Sequence, residues 1–259
     1  MVSISSSAVT HPGLVRTTNE DSVLVTDRLV AVADGLGGHA AGEVASGLAV
    51  DRLRKLARRP GITSDDITAA IADANRLILA KADSRVDYAG MGTTLCGVAV
   101  VSVGGSEHCI VFNVGDSRVY RFHDGTLSQV TVDHSELQEL RDAGRISNLA
   151  AKRYPRRNVV TRSLGSDPAP TPDTWLFPPT DQDRFLVCSD GLTGEVDDAA
   201  IAGVLREHPE PGPAAGALLE KALAAGGRDN IAVIVVNLES ATDHRLVDAD
   251  TAPRAREKF

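Results

Sequence analysis

The stretch 94–130, TLCGVAVVSVGGSEHCIVFNVGDSRVYRFHDGTLSQV, decides the fold class. Residues 94–103, 109–114, 119–123 and 127–130 are strand-length runs rich in Val, Ile, Phe and Tyr, with no helix between them. Asp124-Gly125, between the last two runs, is the pair that a type I′ hairpin requires. A parallel doubly wound sheet would alternate strand and helix throughout. The stretch therefore predicts an antiparallel meander.

Working outward, 23–26 and 29–33 read as a hairpin closed by Asp27-Arg28. A helix is expected over 41–58, with Val44, Leu48 and Leu56 near one face and Arg52, Arg54, Lys55 and Arg58 supplying charge elsewhere. A second helix follows Pro60-Gly61, with Thr63 and Ser64 as candidate caps and Ile67, Ile71, Ala74 and Ile78 at helical spacing up to residue 82. On the other side, the pattern breaks over 133–165. Ser135 can cap a short helix that runs to residue 143 and stops at Gly144. Beyond it Lys152, Arg153, Arg156 and Arg157 mark a surface flap able to draw an anionic phosphopeptide, although any one of these charges alone reads better as solvated surface. Helices over 196–207 and 213–225 and a last strand over 231–236 complete the order. The expected class is α+β, with antiparallel sheets packed together and helices outside them. Residues 241–259 alternate charges without an apolar period and read as a disordered tail.

A chain of 259 residues can bury one core without staples. Its 35 acidic against 27 basic residues give a net charge of −8, which argues against nucleic acid as a partner. Cys96, Cys109 and Cys188 are odd in number, lie in apolar runs and lack paired zinc spacing; buried free thiols in a reducing cytoplasm are expected. Residues 1–10 have neither the cationic start nor the apolar stretch of a signal peptide, and no segment has the length of a membrane span.

Acidic residues recur where short apolar runs end or begin. Asp34 ends 29–33, Asp190 ends 185–189, Asp116 follows 110–115, Asp229 opens 231–236, and Glu20 and Asp21 precede 22–25. Carboxylates gathered in one mouth repel one another unless cations neutralise them, so the recurrence points to a divalent-metal site. Arg16 precedes the first pair, and its guanidinium fork can grip two phosphate oxygens. Residues 35–40, GLGGHA, also fit the dinucleotide fingerprint G-x-G-x-x-A. That reading wants a second strand soon after the helix, ending in an acid about twenty residues on. Here another helix intervenes and Asp51 falls inside the first.

With these residues in hand, the chain resembles the metal-dependent type 2C protein serine/threonine phosphatases, in their bacterial branch. The resemblance runs from about residue 13 to 238 and rests on 13–21, 32–39, 91–94, 113–118, 188–192 and 227–232, six motifs in order. It implies a pair of antiparallel sheets between helical layers with a flap beside the cleft, in a phosphatase domain spanning 1–240. It also implies two Mn²⁺ or Mg²⁺ ions and a weaker third. Asp34 would bridge the pair; Asp190 and Asp229 would complete the first ion; the Gly35 carbonyl and Glu20 would serve the second. Asp21 would orient water, Asp116 with Asp190 would hold the third ion, and Arg16 would clamp the substrate phosphate.

The resemblance implies hydrolysis of phosphoserine and phosphothreonine in proteins by a hydroxide shared between two ions, with no protein nucleophile. His39 would donate the leaving group's proton. Eukaryotic relatives place a histidine directly after Asp-Gly, however, and here Leu36-Gly37-Gly38 intervenes, so a structural histidine at a helix start is an equal reading. His11 and His134 read as surface or supporting residues. The implied partners are serine/threonine kinases and their phosphorylated substrates. A pseudophosphatase that only binds is the competing class; intact Asp34, Asp190, Asp229 and Arg16 count against it.

Overall fold

The computed structural model describes residues 2–37, 41–151, 154–180 and 183–240. In chain order the elements are β1 (Val2–His11), β2 (Ser22–Val25), β3 (Leu29–Ala33), β4 (Gly35–Leu36), α1 (Gly42–Ala57), α2 (Ser64–Ala82), β5 (Gly92–Thr93), β6 (Leu95–Val103), β7 (Ser106–Val114), β8 (Arg118–His123), β9 (Thr126–Gln129), α3 (Glu136–Asp142), α4 (Asn148–Ala151), β10 (Asp173–Phe177), β11 (Arg184–Cys188), α5 (Asp190–Thr193), α6 (Asp198–Glu207), α7 (Pro211–Ala225) and β12 (Ile231–Ser240). One sheet has the order β1-β12-β11-β8-β9, the other β10-β7-β6-β3-β2, and β4 pairs with β5 in a small ribbon. Among the described residues every pairing is antiparallel. The dinucleotide reading of 35–40 falls with it, because a parallel βαβ unit is what that fingerprint serves.

Period-two alternation sorts the strand residues among three apolar layers. Val30, Val32, Cys96, Val98 and Val111 of the second sheet meet Val119, Phe185, Val187, Ile234 and Val236 of the first in a layer between the sheets. Outward-facing neighbours such as Leu29, Ala31, Leu95 and Phe112 pack under α1 and α2. Leu186, Cys188, Val233 and Val235 pack under α5, α6 and α7. The result is helix, sheet, sheet, helix, as expected. Each fully buried Ile or Leu in these layers contributes about 1.5–3 kcal/mol of transfer free energy.

The expected helices form, with one correction. On α2, Thr63 accepts from the Asp66 backbone while Asp66 reaches back to the cap, and Ile67, Ile71, Ala74 and Ile78 are buried. On α1 the buried stripe is Ala45, Ala49, Val50, Leu53 and Leu56, whereas Val44 and Leu48 are only half-buried. Close packing against sheet and α2 selects the small side chains. The stretch 94–130 is also more than a meander. β6 and β7 form a hairpin in one sheet and β8 and β9 a hairpin in the other, and the chain changes sheets at Gly115-Asp116-Ser117. Asp124 and Gly125 have φ of 47° and 72°, as a type I′ turn requires. β1, β4, β5 and β10 were not anticipated, nor were α4 and α5. All three cysteines are free and buried, as expected. The tail 241–259 lies outside the described residues.

Candidate active site

The two sheets present their ends to one cavity of about 620 Å³, lined by Arg16, Glu20, Asp34, Gly35, Asp116, Asp190 and Asp229 among others. Asp34 leaves β3, Asp190 begins α5 directly after β11 and Ser189, and Asp229 stands two residues before β12. Asp116 sits on the sheet-to-sheet crossing. Asp21 lies behind the wall, buried, with Ser189 Oγ donating to its Oδ2 at 2.7 Å and its Oδ1 without a partner among the described residues.

Asp34 and Glu20 are held by their backbones. The Asp34 N–H donates to Thr94 Oγ1 at 3.0 Å, and the Asp34 carbonyl accepts from Thr93 Oγ1 at 2.8 Å and from the Thr94 N–H at 2.9 Å. Thr94 Oγ1 is 2.7 Å from Ser117 Oγ, so one threonine ties the loop of Asp34 to that of Asp116. The Asn230 side chain accepts from the Glu20 N–H at 2.8 Å and donates to the carbonyls of Pro12 and Thr18 at 3.0 and 2.8 Å. It thus fastens the segment carrying Arg16 and Glu20 to the start of β12. Ser46 Oγ donates to the Glu20 carbonyl at 2.6 Å. Glycines permit these approaches: a Cβ on Gly42 would stand 2.5 Å from Glu20 Oε2, and one on Gly191 would stand 1.9 Å from the Asn230 carbonyl oxygen. Sequence reading assigns no role to Thr94, Asn230, Ser189 or Ser46, although the first three lie in the matched motifs.

Electrostatics mark the cavity as overcharged. Burial, then the carboxylates of Asp21, Asp190, Asp116 and Asp229, pushes the Asp34 carboxyl well above the usual range. Burial is also the largest cause for Asp21, Asp116 and Asp190, each raised further by neighbouring acids, and for Glu20, raised further by Glu43. Among the described residues no three His, Cys, Asp or Glu side chains stand in a finished metal-ligand arrangement. The acids surround a shared cavity, and Asp229 is engaged by Arg16 Nη2 at 2.9 Å. The donor set nevertheless suits a hard divalent cation: carboxylates with an orphaned buried oxygen on Asp21, and a surplus of negative charge for a cation to neutralise.

A second cavity of about 410 Å³ adjoins the first and shares Arg16, Asp116, Asp190 and Asp229 with it; Arg118, Arg157, Arg228, Glu195 and Ser135 line its other walls. Of the cations expected on the flap, Arg157 lines this cavity, while Arg156 is paired with Glu136 at 2.7 Å. Lys152 and Arg153 lie outside the described residues, as does His39. His134 is a buried supporting residue; His11 is half-buried and accepts the Gly13 N–H on Nδ1 at 3.0 Å.

The family profile described as Protein phosphatase 2C matches residues 16–210, from Arg16 past Asp190. The chain belongs to the protein phosphatase 2C family. Serine/threonine protein phosphatase PstP of Mycobacterium tuberculosis is 41% identical over 229 residues, which cover 87% of this chain. The match spans 43% of that relative's length. Serine/threonine phosphatase stp of Listeria welshimeri is 37% identical over 238 residues, covering 88% of this chain and 93% of that protein. Among solved structures, the catalytic domain of PstP in complex with two manganese ions superposes with a TM-score of 0.84 at 37% identity, covering 93% of this chain and all of that one. The four-layer architecture built above is thus the architecture of this family.

Proposed function

We propose that this chain is a Mn²⁺- or Mg²⁺-dependent phosphatase acting on phosphoserine and phosphothreonine in proteins. The observation that carries the reading is the gathering of Glu20, Asp34, Asp116, Asp190 and Asp229 with Arg16 around one cavity, in a chain whose relatives are serine/threonine phosphatases. In this reading Asp34, Asp190 and Asp229, with Glu20 and the Gly35 carbonyl, would hold two divalent ions, Asp34 serving both. Asp21 would orient water from behind the wall, and Asp116 with Asp190 would hold a weaker third ion. When bound, such ions supply an activated water and neutralise incoming phosphate.

The protein's own groups do the rest. Arg16 has a fork with room for two phosphate oxygens, and in this structure one arm rests on Asp229. On binding phosphate the guanidinium would release Asp229, leaving that carboxylate free to hold a cation. Because the pair is exposed, with side chains 57% and 36% accessible, the exchange costs little. Asn230 keeps the segment of Arg16 and Glu20 in register with Asp229 throughout. His39 is proposed, on sequence alone, to protonate the leaving serine or threonine oxygen. Arg157 on the second cavity is suited to an anionic stretch of substrate.

The working domain in this reading is 1–240. Its substrates are phosphorylated proteins, with serine/threonine kinases and their targets as partners, and its buried unpaired thiols suit a reducing cytoplasm. Among the described residues no helix is long and apolar enough to cross a membrane. The test is manganese-dependent release of phosphate from a phosphothreonine peptide, measured beside an Asp34→Ala variant. Turnover abolished in the variant is expected; equal rates in both, or none in either, would refute the reading.

A further inference from the structure

The excursion between β9 and β10 has two roots, 133–135 and 159–162, and both converge on one buried imidazole. His134 is 7% exposed. Its Nδ1 accepts the Gly115 N–H at 3.0 Å while its own backbone N–H donates to the Gly115 carbonyl at 3.0 Å. Residue 115 is therefore gripped by both of its polar groups. The His134 carbonyl accepts the Thr161 N–H at 2.8 Å, and Glu136 N–H donates to the Val159 carbonyl at 2.9 Å, which closes the roots on each other. On the far side of the ring, Nε2 stands 3.0 Å from Asp173 Oδ2, and Asp173 Oδ1 accepts from Arg162 at 2.8 Å.

A backbone N–H can only donate, so Nδ1 carries no proton and Nε2 must be the donor to Asp173. The geometry alone fixes the tautomer. On its other side Gly115 lies tight against Thr94: with φ of +114°, a Cβ there would meet the Thr94 side chain at 2.6 Å, so no larger residue fits. It stands between Thr94, which holds the Asp34 backbone, and His134, which holds the excursion. Asp116 is the next residue.

We propose that His134 is a positioning residue for the Asp116 carboxylate, tying the roots of the 133–165 excursion to the backbone that carries this acid. The proposal takes from the reading above only that Asp116 serves turnover. An imidazole fills the place because it offers an acceptor toward Gly115 and a donor toward Asp173 on one rigid ring. His134→Phe keeps the ring volume and loses both bonds, His134→Ala loses the ring as well, and His134→Gln restores one acceptor and one donor.

The first readout uses the metal-free protein. Nitrogen chemical shifts should show Nδ1 of His134 unprotonated, and exchange of the Gly115 amide should quicken in His134→Phe and His134→Ala but recover in His134→Gln. The second is a manganese titration of p-nitrophenyl phosphate hydrolysis. His134→Phe and His134→Ala should lower kcat and raise the manganese needed for half-maximal rate, by about 10–100-fold as lost supporting contacts around metal ligands do. KM should stay near the wild-type value, and His134→Gln should regain most of the loss. Should His134→Ala fail to fold, the Phe and Gln variants carry the comparison. A protonated Nδ1 in the wild type would overturn the proposal. So would a Phe variant whose only change is a lower Tm, with kcat and manganese requirement intact. If the wild type shows no manganese-dependent turnover, the functional reading fails, and the amide-exchange and tautomer measurements still decide whether His134 clamps Gly115.

Discussion

Gly191→Ala adds one methyl group at the point where the two halves of the acidic wall touch. Built on the present backbone, its Cβ would lie 1.9 Å from the Asn230 carbonyl oxygen and 2.9 Å from the carbonyl carbon, where real Cβ contacts stay beyond 3.0 Å. The neighbour is backbone and cannot swing aside, so the start of α5 must part from the start of β12 by roughly 1 Å. Overpacking of this kind costs about 1–3 kcal/mol. In a domain of this size that lowers Tm by about 2–12 °C. The separation falls between Asp190 and the Asp229-Asn230 pair, and a displacement near 1 Å in such a constellation costs about 100-fold in rate. Gly203→Ala is the matched control. It lies within α6 with nothing inside 4 Å of the new Cβ, so the same methyl should stabilise the protein by about 0.5–1 kcal/mol and leave activity alone. Thermal unfolding and manganese-dependent peptide dephosphorylation on both variants are the assay. A Gly191→Ala protein that melts with the wild type and retains activity within twofold would refute the reasoning that backbone closeness here sets the spacing of the acids.

Arg16→Ala should raise KM for a phosphopeptide by about tenfold or more while retaining manganese binding, because it removes a phosphate grip and frees Asp229; an unchanged KM would count against the clamp. Thr94→Val leaves the Asp34 N–H without its acceptor, so a loss of about 1–3 kcal/mol in denaturant unfolding together with a lower kcat is expected. Asp21, Asp34, Asp116 and Asp190 have folded pKa values raised above their unfolded ones, so their protonation stabilises the metal-free fold. That contribution is fully present below the unfolded value of about 4 and is lost as pH rises through the folded values. Manganese takes over the protons' role, so its gain in Tm should be larger at alkaline than at acid pH; a gain independent of pH would argue against metal at these carboxyls.

Most of the architecture was legible because its signals are local. Thr63 announces the start of α2, Asp124-Gly125 announces a hairpin, and strand-length apolar runs announce β3, β6, β7, β11 and β12. β1 was missed because Ser3, Ser5, Ser6 and Ser7 dilute its alternation, and an edge position lets it keep one face half-solvated. β10, also an edge strand, is only five residues long. The change of sheet at Gly115 carried no signal, since the strands on both sides have the same composition and pairing partners are a tertiary choice. In the site, the carboxylates could be found because each sits within two residues of a strand end. The roles of Thr94, Asn230 and Ser189 could not, although all three lie in the matched motifs, because neutral hydrogen bonders acting across as many as 218 residues of sequence leave no periodic trace; His134 was legible only as a surface or supporting residue. The flap cations show the opposite error: proximity in sequence suggested a common task, yet Arg156 spends its charge inside the excursion.

Asp34 hangs from one sheet and Asp190 from the other, and between those sheets lies a filling of valine, isoleucine and phenylalanine. The filling therefore acts as a gauge block. A methylene added to or removed from that dry layer, far from solvent, is passed along two stiff strands and emerges at the mouth as a change in how widely the two acids are set.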